Sequence, residues 1–588
     1  MSRTDIVASV PSPSLVEFST LDDANNQFGL ATFRNLVKSC YGPNSRLKTI
    51  QHHSGGQVML TSSSYDLLKS LPIRRPFLRL LVTAVTEHLR LFNDGGLFVA
   101  VLASELLSVC CCFNTDRLPR ILCCDVNSIM LDWCNHFVST SKECRIHVDI
   151  SNMSQMMAVI RSIISTKPAC SFTSRDISHV SGLILQAFLK TFPTSGHLRS
   201  TQQDIYYIDV PSQDTQNSRI IDGVLFQLPN DIPDKILPPG SRFTSNTSPL
   251  KVALFNISLA GDTGEVLEVR CEVSDGLTPM CVVTEQLFDI VQRLLDDGVS
   301  VLGCQKVIHP SIKKFLKKNG VLAIDRLSIL NIAAVEKLSG AQCISSLNCE
   351  NNMRNLYGSL EKVQISTFFQ KSYYHFKKNT SPVCTMILCS RLEATLNEIK
   401  SVCKVAQSVL LSLMINPTVV PGAGCFEVLL SNHLKQKIQN IDKSLCASIG
   451  YSEYQFKLAA QRFIQNLQTI ASCNQIGHPV TNLSQSHLWI VPDQANLNSD
   501  WIVNRTCNCG LCHFDCSENI VEIGNTNTHA ELFTNQSSVK ARREPRCSNV
   551  VLHKNVIVDQ YDTKLNGLNV AVETGNIILR IQQTISIS

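Results

Sequence analysis

Apolar positions recur at helical spacing through the first part of the chain. Phe33, Leu36, Val37 and Cys40 fall on one face, and Gly42-Pro43 closes that segment. Leu78, Leu81, Val85, Leu89 and Phe92 predict a second amphipathic helix, stopped by Asn93-Asp94-Gly95-Gly96. The stretch from Leu97 to Phe113 is apolar on nearly all sides, which predicts a helix at the centre of a bundle. It carries Glu105 and is shorter than the roughly 20 residues a bilayer core requires, so no membrane span is expected.

The pattern changes between about residues 200 and 250, where Pro211, Pro229, Pro233, Pro238, Pro239 and Pro249 punctuate a polar stretch. Short β-rich runs follow, Val224 to Leu228 and Val252 to Leu259. A regular alternation comes next. A helix carrying Leu287, Val291 and Leu294 leads to a strand from Val299 to Leu302, and a helix from Pro310 to Lys318 leads to a strand from Val321 to Ile324. A helix from Ala333 to Leu338 and an extended run from Gln342 to Ile344 complete it. Strands and helices alternating at this length predict an α/β domain with a partly parallel sheet. Helix returns after about 391, with Val402, Ala406, Val409, Leu410 and Leu413 on one face and Asn416-Pro417 at its end. A last long helix is expected from Lys564 to Ile581. Two helical blocks thus flank a central insert, and if they share a core the outer domain is discontinuous.

The 588 residues suggest three or more structural units at roughly 100–200 residues each. With 44% hydrophobic and 17% charged residues, the composition excludes a disordered or fibrous chain. A net charge of +5 gives no basis for nucleic-acid binding. The basic runs Lys313-Lys314 with Lys317-Lys318, and Lys540 to Arg546, read as solvated faces. The polar start of the chain has no signal-peptide pattern, so the 25 cysteines are expected as reduced thiols of a cytosolic protein.

No GxxxxGK[ST], HExxH or GxSxG motif is present. Three glycine-bearing turns stand out: Gly42-Pro43-Asn44-Ser45, Asn93-Asp94-Gly95-Gly96 and Pro421-Gly422-Ala423-Gly424. Glycine permits close backbone approach to a phosphate, and a helix start supplies donors. Asp94 offers a hard oxygen for Mg²⁺. Ordinary helix caps and turns would look the same. A second cluster, Cys507-Asn508-Cys509-Gly510-Leu511-Cys512-His513 with Cys516, has enough soft ligands for zinc, or is a loop where thiols happen to gather.

In order and spacing these turns resemble the group II (TCP-1/cytosolic) chaperonin family. Its GPxGxxK turn appears as Gly42 to Lys48, its NDG turn as Ser54-Gly55-Gly56, and its GDGTT loop as Asn93 to Leu97. Its VVAGGGxxE segment appears as Val419 to Glu427, and its C-terminal pattern as Asp559, Lys564 and Ala571 to Leu579. The resemblance covers essentially the whole chain and is nearest to a divergent, syndrome-associated branch. It implies a mostly helical equatorial domain (1–150 with 409–588), an α+β intermediate hinge (151–212 with 374–408) and an inserted α/β apical domain that contacts substrate (213–373).

The resemblance further implies ATP and Mg²⁺ as cofactors. Gly42, Pro43, Gly95, Gly96, Gly422 and Gly424 would lie along the nucleotide, with Asp94 at the metal and in the chemistry, and Asp559 at the ribose. Glu398 stands where the family's water-positioning aspartate falls, one methylene longer. Several parts are lost. Gly55 occupies the NDG aspartate position, Gly96 and Leu97 replace both threonines of GDGTT, Asn93 replaces its first glycine, and Ser45 the second glycine of GPxG. Residual nucleotide binding with slow or absent hydrolysis is therefore expected.

The function implied is a chaperone assisting folding and assembly of ciliary transport complexes, in the cytosol and around centrosomes or basal bodies. Its partners would be client proteins, related chaperonin-like subunits and the cytosolic ring chaperonin. Client contact is expected through apolar groups near the helices at 284–296 and 310–318. A nucleotide-independent adaptor is the alternative, and an active ring-forming ATPase a second one.

Overall fold

A computed structural model describes residues 15–18, 21–51, 58–111, 118–192, 204–228, 243, 249–261, 279–346, 353–473, 475, 477–482, 487–491, 507–512, 520–523, 552 and 556–586. The chain divides into two compact units, Met1–Gly182 with Asn397–Ser588, and Leu183–Leu396.

After strand β1 (Leu15–Phe18), helix α1 (Ala24–Ser39) begins where the Asp23 carboxylate accepts the Asn26 amide at 2.9 Å. The antiparallel pair β2 (Lys48–Ile50) and β3 (Met59–Thr61) leads into α2 (Ser64–Ser70) and α3 (Pro76–Phe92). Helix α3 ends because Asn93 adopts a left-handed φ of 58° and returns its amide to the Leu89 carbonyl at 2.8 Å. Helix α4 (Gly96–Cys111) is the expected central helix: Phe98, Ala100, Leu102 and Leu107 are all buried. Its one acidic group, Glu105, faces α1, where Lys38 meets it at 3.1 Å and Arg34 at 3.7 Å. Helix α5 (Arg120–Thr140), strand β4 (Ile146–His147), α6 (Met153–Ser165) and α7 (Ser174–Thr191) follow.

In the central unit come β5 (Ile205–Pro211), β6 (Arg219–Asp222), β7 (Val224–Gln227) and β8 (Leu250–Phe255). Helix α8 (Pro279–Asp296), β9 (Val299–Cys304), α9 (Pro310–Lys318), β10 (Leu322–Ile324), α10 (Ile329–Ser339) and β11 (Cys343–Ile344) make the predicted alternation. The sheet order is β10-β9-β8-β11, all parallel, and β12 (Gly358–Leu360) joins β8 antiparallel. Because this sheet is covered on both sides, β8 is apolar on both faces. Val252 and Leu254 pack with Ile332, Val335 and Leu338 of α10, while Ala253 and Phe255 pack with residues of α8 and α9. Strand β14 (Lys371–Lys377) lies between β13 (Lys362–Phe368) and β7, antiparallel to both, and β15 (Cys384–Ser390) lies between β5 and β6.

Two expected boundaries shift here. Helix α10 starts a turn before Ala333 because the Ser328 hydroxyl accepts the Asn331 amide at 3.2 Å. Strand β8 stops at Phe255, and Leu259 forms only an isolated bridge with Ile308. On α8 and α9, Leu287, Val291, Leu294, Ile312 and Leu316 are fully buried, while Phe288, Leu295 and Phe315 are half-buried.

Helix α11 (Glu393–Ile415) and strand β16 (Thr418–Pro421) open the last part of the chain, followed by α12 (Cys425–Gln439), α13 (Lys443–Ile449) and α14 (Glu453–Ala471). A small antiparallel sheet joins β17 (His478–Asn482) to β18 (Leu488–Val491) and β19 (Ile520–Glu522). Strand β20 (Val558–Gln560) then pairs with β16, helix α15 (Tyr561–Leu579) follows, and β21 (Gln583–Ser586) pairs with β1. The last helix starts before Lys564 because Gln560 caps it, accepting the Thr563 amide at 2.5 Å. One core holds α1, α3, α4 and α5 together with α12, α14 and α15, so the two ends of the sequence fold as one body. Between α5 and α15, Asn576 accepts from Asn127 at 3.0 Å and donates to the Cys124 carbonyl at 3.2 Å.

The described cysteines are free thiols and nearly all buried. Burial pushes Cys384 and Cys403 up to about 12, leaving them inert. Among the described residues, no helix is long and apolar enough to cross a membrane.

Candidate functional site

The sequence-predicted residues converge on the start of α15. Strand β20 places Asp559 opposite Val420 of β16, one residue before the Pro421-Gly422-Ala423-Gly424 turn. The Lys564 ammonium, 6% exposed, meets Glu427 of α12 at 2.7 Å and Asp559 at 3.0 Å. Burial alone would lower its pKa, but Asp559 and Glu427 override that and raise it well above the ordinary value. Lys564 also lies 4.1 Å from the centre of the Phe98 ring of α4. Burial raises the Tyr41 phenol, and Lys564 opposes that shift, which places the Gly42-Pro43 turn beside the same charges.

The Asn93-Asp94-Gly95-Gly96 turn is there as well. A Cβ on Gly95, whose φ is 76°, would stand 3.0 Å from both His88 of α3 and Thr563 of α15. His88 is buried and shares a hydrogen bond of 2.8 Å with Asn566 of α15. Burial lowers its pKa against the opposing pull of Asp94. The Asp94 carboxylate forms no ion pair among the described residues of its turn, and so offers an oxygen for a cation.

Whether these residues suit a nucleotide depends on what the glycines face. A Cβ on Gly96 would run into Leu89 at 2.7 Å, on Gly422 into the Ile557 carbonyl at 2.9 Å, and on Gly424 into the Ala471 carbonyl at 2.6 Å. Close packing of the chain on itself therefore accounts for all three. What remains for an anion is the start of α12, where Gly424, at a φ of 86°, supplies no side-chain cap, although the Cys425 amide already bonds the Gly422 carbonyl at 3.1 Å. The space a Cβ would fill at Gly96, Gly422 and Gly424 is taken by the chain itself, which leaves the α12 start and the Asp94 carboxylate as the groups that could meet a nucleotide.

Glu398, on α11, is buried and committed. Thr61 donates to its Oε2 at 2.9 Å, the Ser62 amide donates to Oε1 at 3.1 Å, and the Ser62 hydroxyl also donates to Oε1. The turn that meets Glu398 is thus Thr61-Ser62-Ser63, between β3 and α2. It bears hydroxyls and no carboxylate. Ser54-Gly55-Gly56, where the sequence put the missing aspartate, lies outside the described residues. Asn93 touches α11 at Ser408, 3.4 Å away, ten residues beyond Glu398. At 1.5 Å per residue that is roughly 15 Å of helix. Sequence reasoning missed Thr61 and Ser62 because hydroxyls in a turn carry no signature of their own.

Comparison with known proteins agrees with this architecture. The TCP-1/cpn60 chaperonin family matches residues 33–588. The chain is 32% identical over 591 residues to the molecular chaperone MKKS of Homo sapiens, spanning 97% of this chain and 98% of that protein. It is 31% identical over 586 residues to the Mus musculus protein of the same name, with the same coverage. To the T-complex protein 1 subunit gamma of Rattus norvegicus it is 23% identical over 442 residues, 73% of this chain and 75% of that one. The chain belongs to the TCP-1/cpn60 chaperonin family, as a divergent group II member. Within it, the chain is a chaperonin-like molecular chaperone.

Proposed function

We propose that this chaperone assists folding and assembly of client proteins, ciliary transport complexes among them, with a nucleotide site that binds Mg-ATP weakly and turns it over slowly at most. In this reading Asp94 holds the Mg²⁺ side, the turns at Gly42-Pro43, Gly95-Gly96 and Gly422–Gly424 lie along the phosphates, and Asp559 takes the ribose. The observation that carries it is the fate of the carboxylates. Asp94 is in no ion pair among the described residues, while Glu398 is hydrogen-bonded by Thr61 and Ser62. Phosphoryl transfer depends on positioning and charge neutralisation, so a tethered general base and a missing metal ligand cost rate before they cost binding.

Calorimetric titration of the full chain with ATP, with and without Mg²⁺, tests this. Weak saturable binding that strengthens with Mg²⁺ and is lost in Asp94→Ala is expected. No binding heat in either condition would move the assignment to a nucleotide-independent adaptor, the reading that the hydrogen-bonded Glu398 favours. Client contact is assigned to the half-buried Phe288, Leu295 and Phe315, with the hinge at 151–212 and 374–408. The working place is the cytosol, at centrosomes or basal bodies, alongside related chaperonin-like subunits and the ring chaperonin.

A further inference from the structure

Beside the nucleotide turn, three distant segments bring soft ligands to one point. Cys425 is the first residue of α12, directly after Gly424. His487 precedes β18, and Cys507 and Cys509 lie in a short knuckle. All four side chains are buried, and their ligand atoms lie within 4.8 Å of one another. Cys507 and Cys509 sulfurs are 3.2 Å apart, and Cys509 Sγ is 3.4 Å from His487 Nδ1. A tetrahedral zinc site, with bonds of about 2.3 Å to sulfur and 2.0–2.1 Å to nitrogen, needs sulfurs roughly 3.8 Å apart and sulfur to nitrogen roughly 3.6 Å. Small side-chain movements reach that geometry.

The surroundings fit a metal better than a chance gathering of thiols. The backbone donates to two of the sulfurs, from Leu488 to Cys425 at 3.4 Å and from Cys512 to Cys507 at 3.2 Å. Such amide contacts suit thiolates more than neutral thiols. The knuckle is closed by Gly510, whose amide bonds the Cys507 carbonyl at 2.8 Å and whose φ of 77° demands glycine. The other ring nitrogen of His487, Nε2, faces Cys512 Sγ at 3.2 Å, in the position of an outer partner that orients a ligating imidazole. Among the described residues, Val428, Ala471, Val480, Leu488, Trp489 and Ile523 pack with the three cysteines in one buried cluster, and four protein ligands complete a tetrahedral set.

We propose that Cys425, His487, Cys507 and Cys509 bind one Zn²⁺ as a closed structural site, with Cys512 supporting His487. The ion would tie the knuckle and β18 to the start of α12, and so hold the Gly422–Gly424 turn. The Ile557 carbonyl accepts from Gly422 at 2.9 Å, while the Ile557 amide donates to the Cys509 carbonyl at 3.0 Å. His513 and Cys516, candidates from the sequence, lie outside the described residues, and the site closes without them.

Native mass spectrometry of the full chain, purified without chelator in zinc-containing medium, should show one zinc per chain. Cys509→Ser should reduce this to near none, Cys512→Ser should weaken zinc by about 10–100-fold, and Cys343→Ser should leave it unchanged. Because a ligand variant can misfold, wild-type protein should also be stripped and loaded with Co²⁺ alone. Thiolate-to-cobalt charge transfer and strong visible bands of tetrahedral cobalt are expected. A metal-free chain that takes up neither ion, or a mass two hydrogens light from a Cys507–Cys509 disulfide, overturns the proposal. Neither result bears on whether ATP binds.

Discussion

At Lys564 a cation is buried between two carboxylates, one of which, Glu427, is 0% exposed. Such a pair stabilises little in total, yet removing one partner strands the other charge. Lys564→Ala is expected to cost about 3–5 kcal/mol in urea unfolding. Replacing both at once, Lys564→Met with Glu427→Gln, should recover most of that loss; a double variant no better than the single one would show that the lysine acts by packing alone. His375 makes a pH prediction. Burial holds its imidazole below the ordinary 6.5, although Nε2 donates to the Asp222 carbonyl at 2.8 Å. The unfolded chain therefore takes up the proton first, so stability is lost as pH falls from 6.5 toward the depressed native value. His375→Gln should flatten the acid-side slope of the melting temperature, and an unchanged slope would exonerate the residue. The sequence named Glu427, Lys564 and Asp559 through their motif spacing. It could not name Cys425 and His487 as partners of Cys509, because residues 22 to 84 positions away meet only through folding of the sheet around them.

Among the elements, backbone turns decide which helices start where. Gly424 and Gly340 have nearly the same φ, 86° and 79°, but a Cβ on Gly424 meets the Ala471 carbonyl at 2.6 Å, while one on Gly340 meets nothing within 4 Å. Gly340→Ala should therefore cost only the left-handed strain, about 1 kcal/mol. Gly424→Ala adds a backbone clash and should cost roughly 2–4 kcal/mol, displacing the start of α12. Equal losses in chemical denaturation would contradict the packing role given to that turn. The amphipathic helices α3 and α9 were legible because their stripes are regular and Gly or Pro stops them. Helices α12 to α14 were not read from the pattern: α12 is buried on almost every side of its first half and so lacks a polar face to mark its period. Helix α10 was shortened by its exposed Ile329 and Leu330, each 72% accessible, which break the expected alternation.

For the whole molecule, the decisive feature is the discontinuous core. Helix α15 packs on α4 through Gly567, where a Cβ would come within 3.2 Å of Phe98 and 3.3 Å of Val99. Gly567→Leu is expected to lower hydrogen-exchange protection in α4 as well as α15, since both belong to one core. Protection lost from α15 alone would mean that the two ends of the chain fold separately. The helix–insert–helix plan was visible in the sequence because a central helix apolar on nearly all sides must be surrounded, and no single flanking block supplies enough apolar faces. The condition of the site was only half visible. Missing threonines could be seen, but the Thr61 and Ser62 hydrogen bonds to Glu398 could not. The central claim, a chaperonin-family site that retains its architecture but has lost most of its catalytic competence, is tested most directly by single-turnover ATP hydrolysis on the purified chain. The account predicts little or no phosphate release above the Asp94→Ala background. Release as fast as that of an active ring chaperonin, abolished by Asp94→Ala, would contradict it.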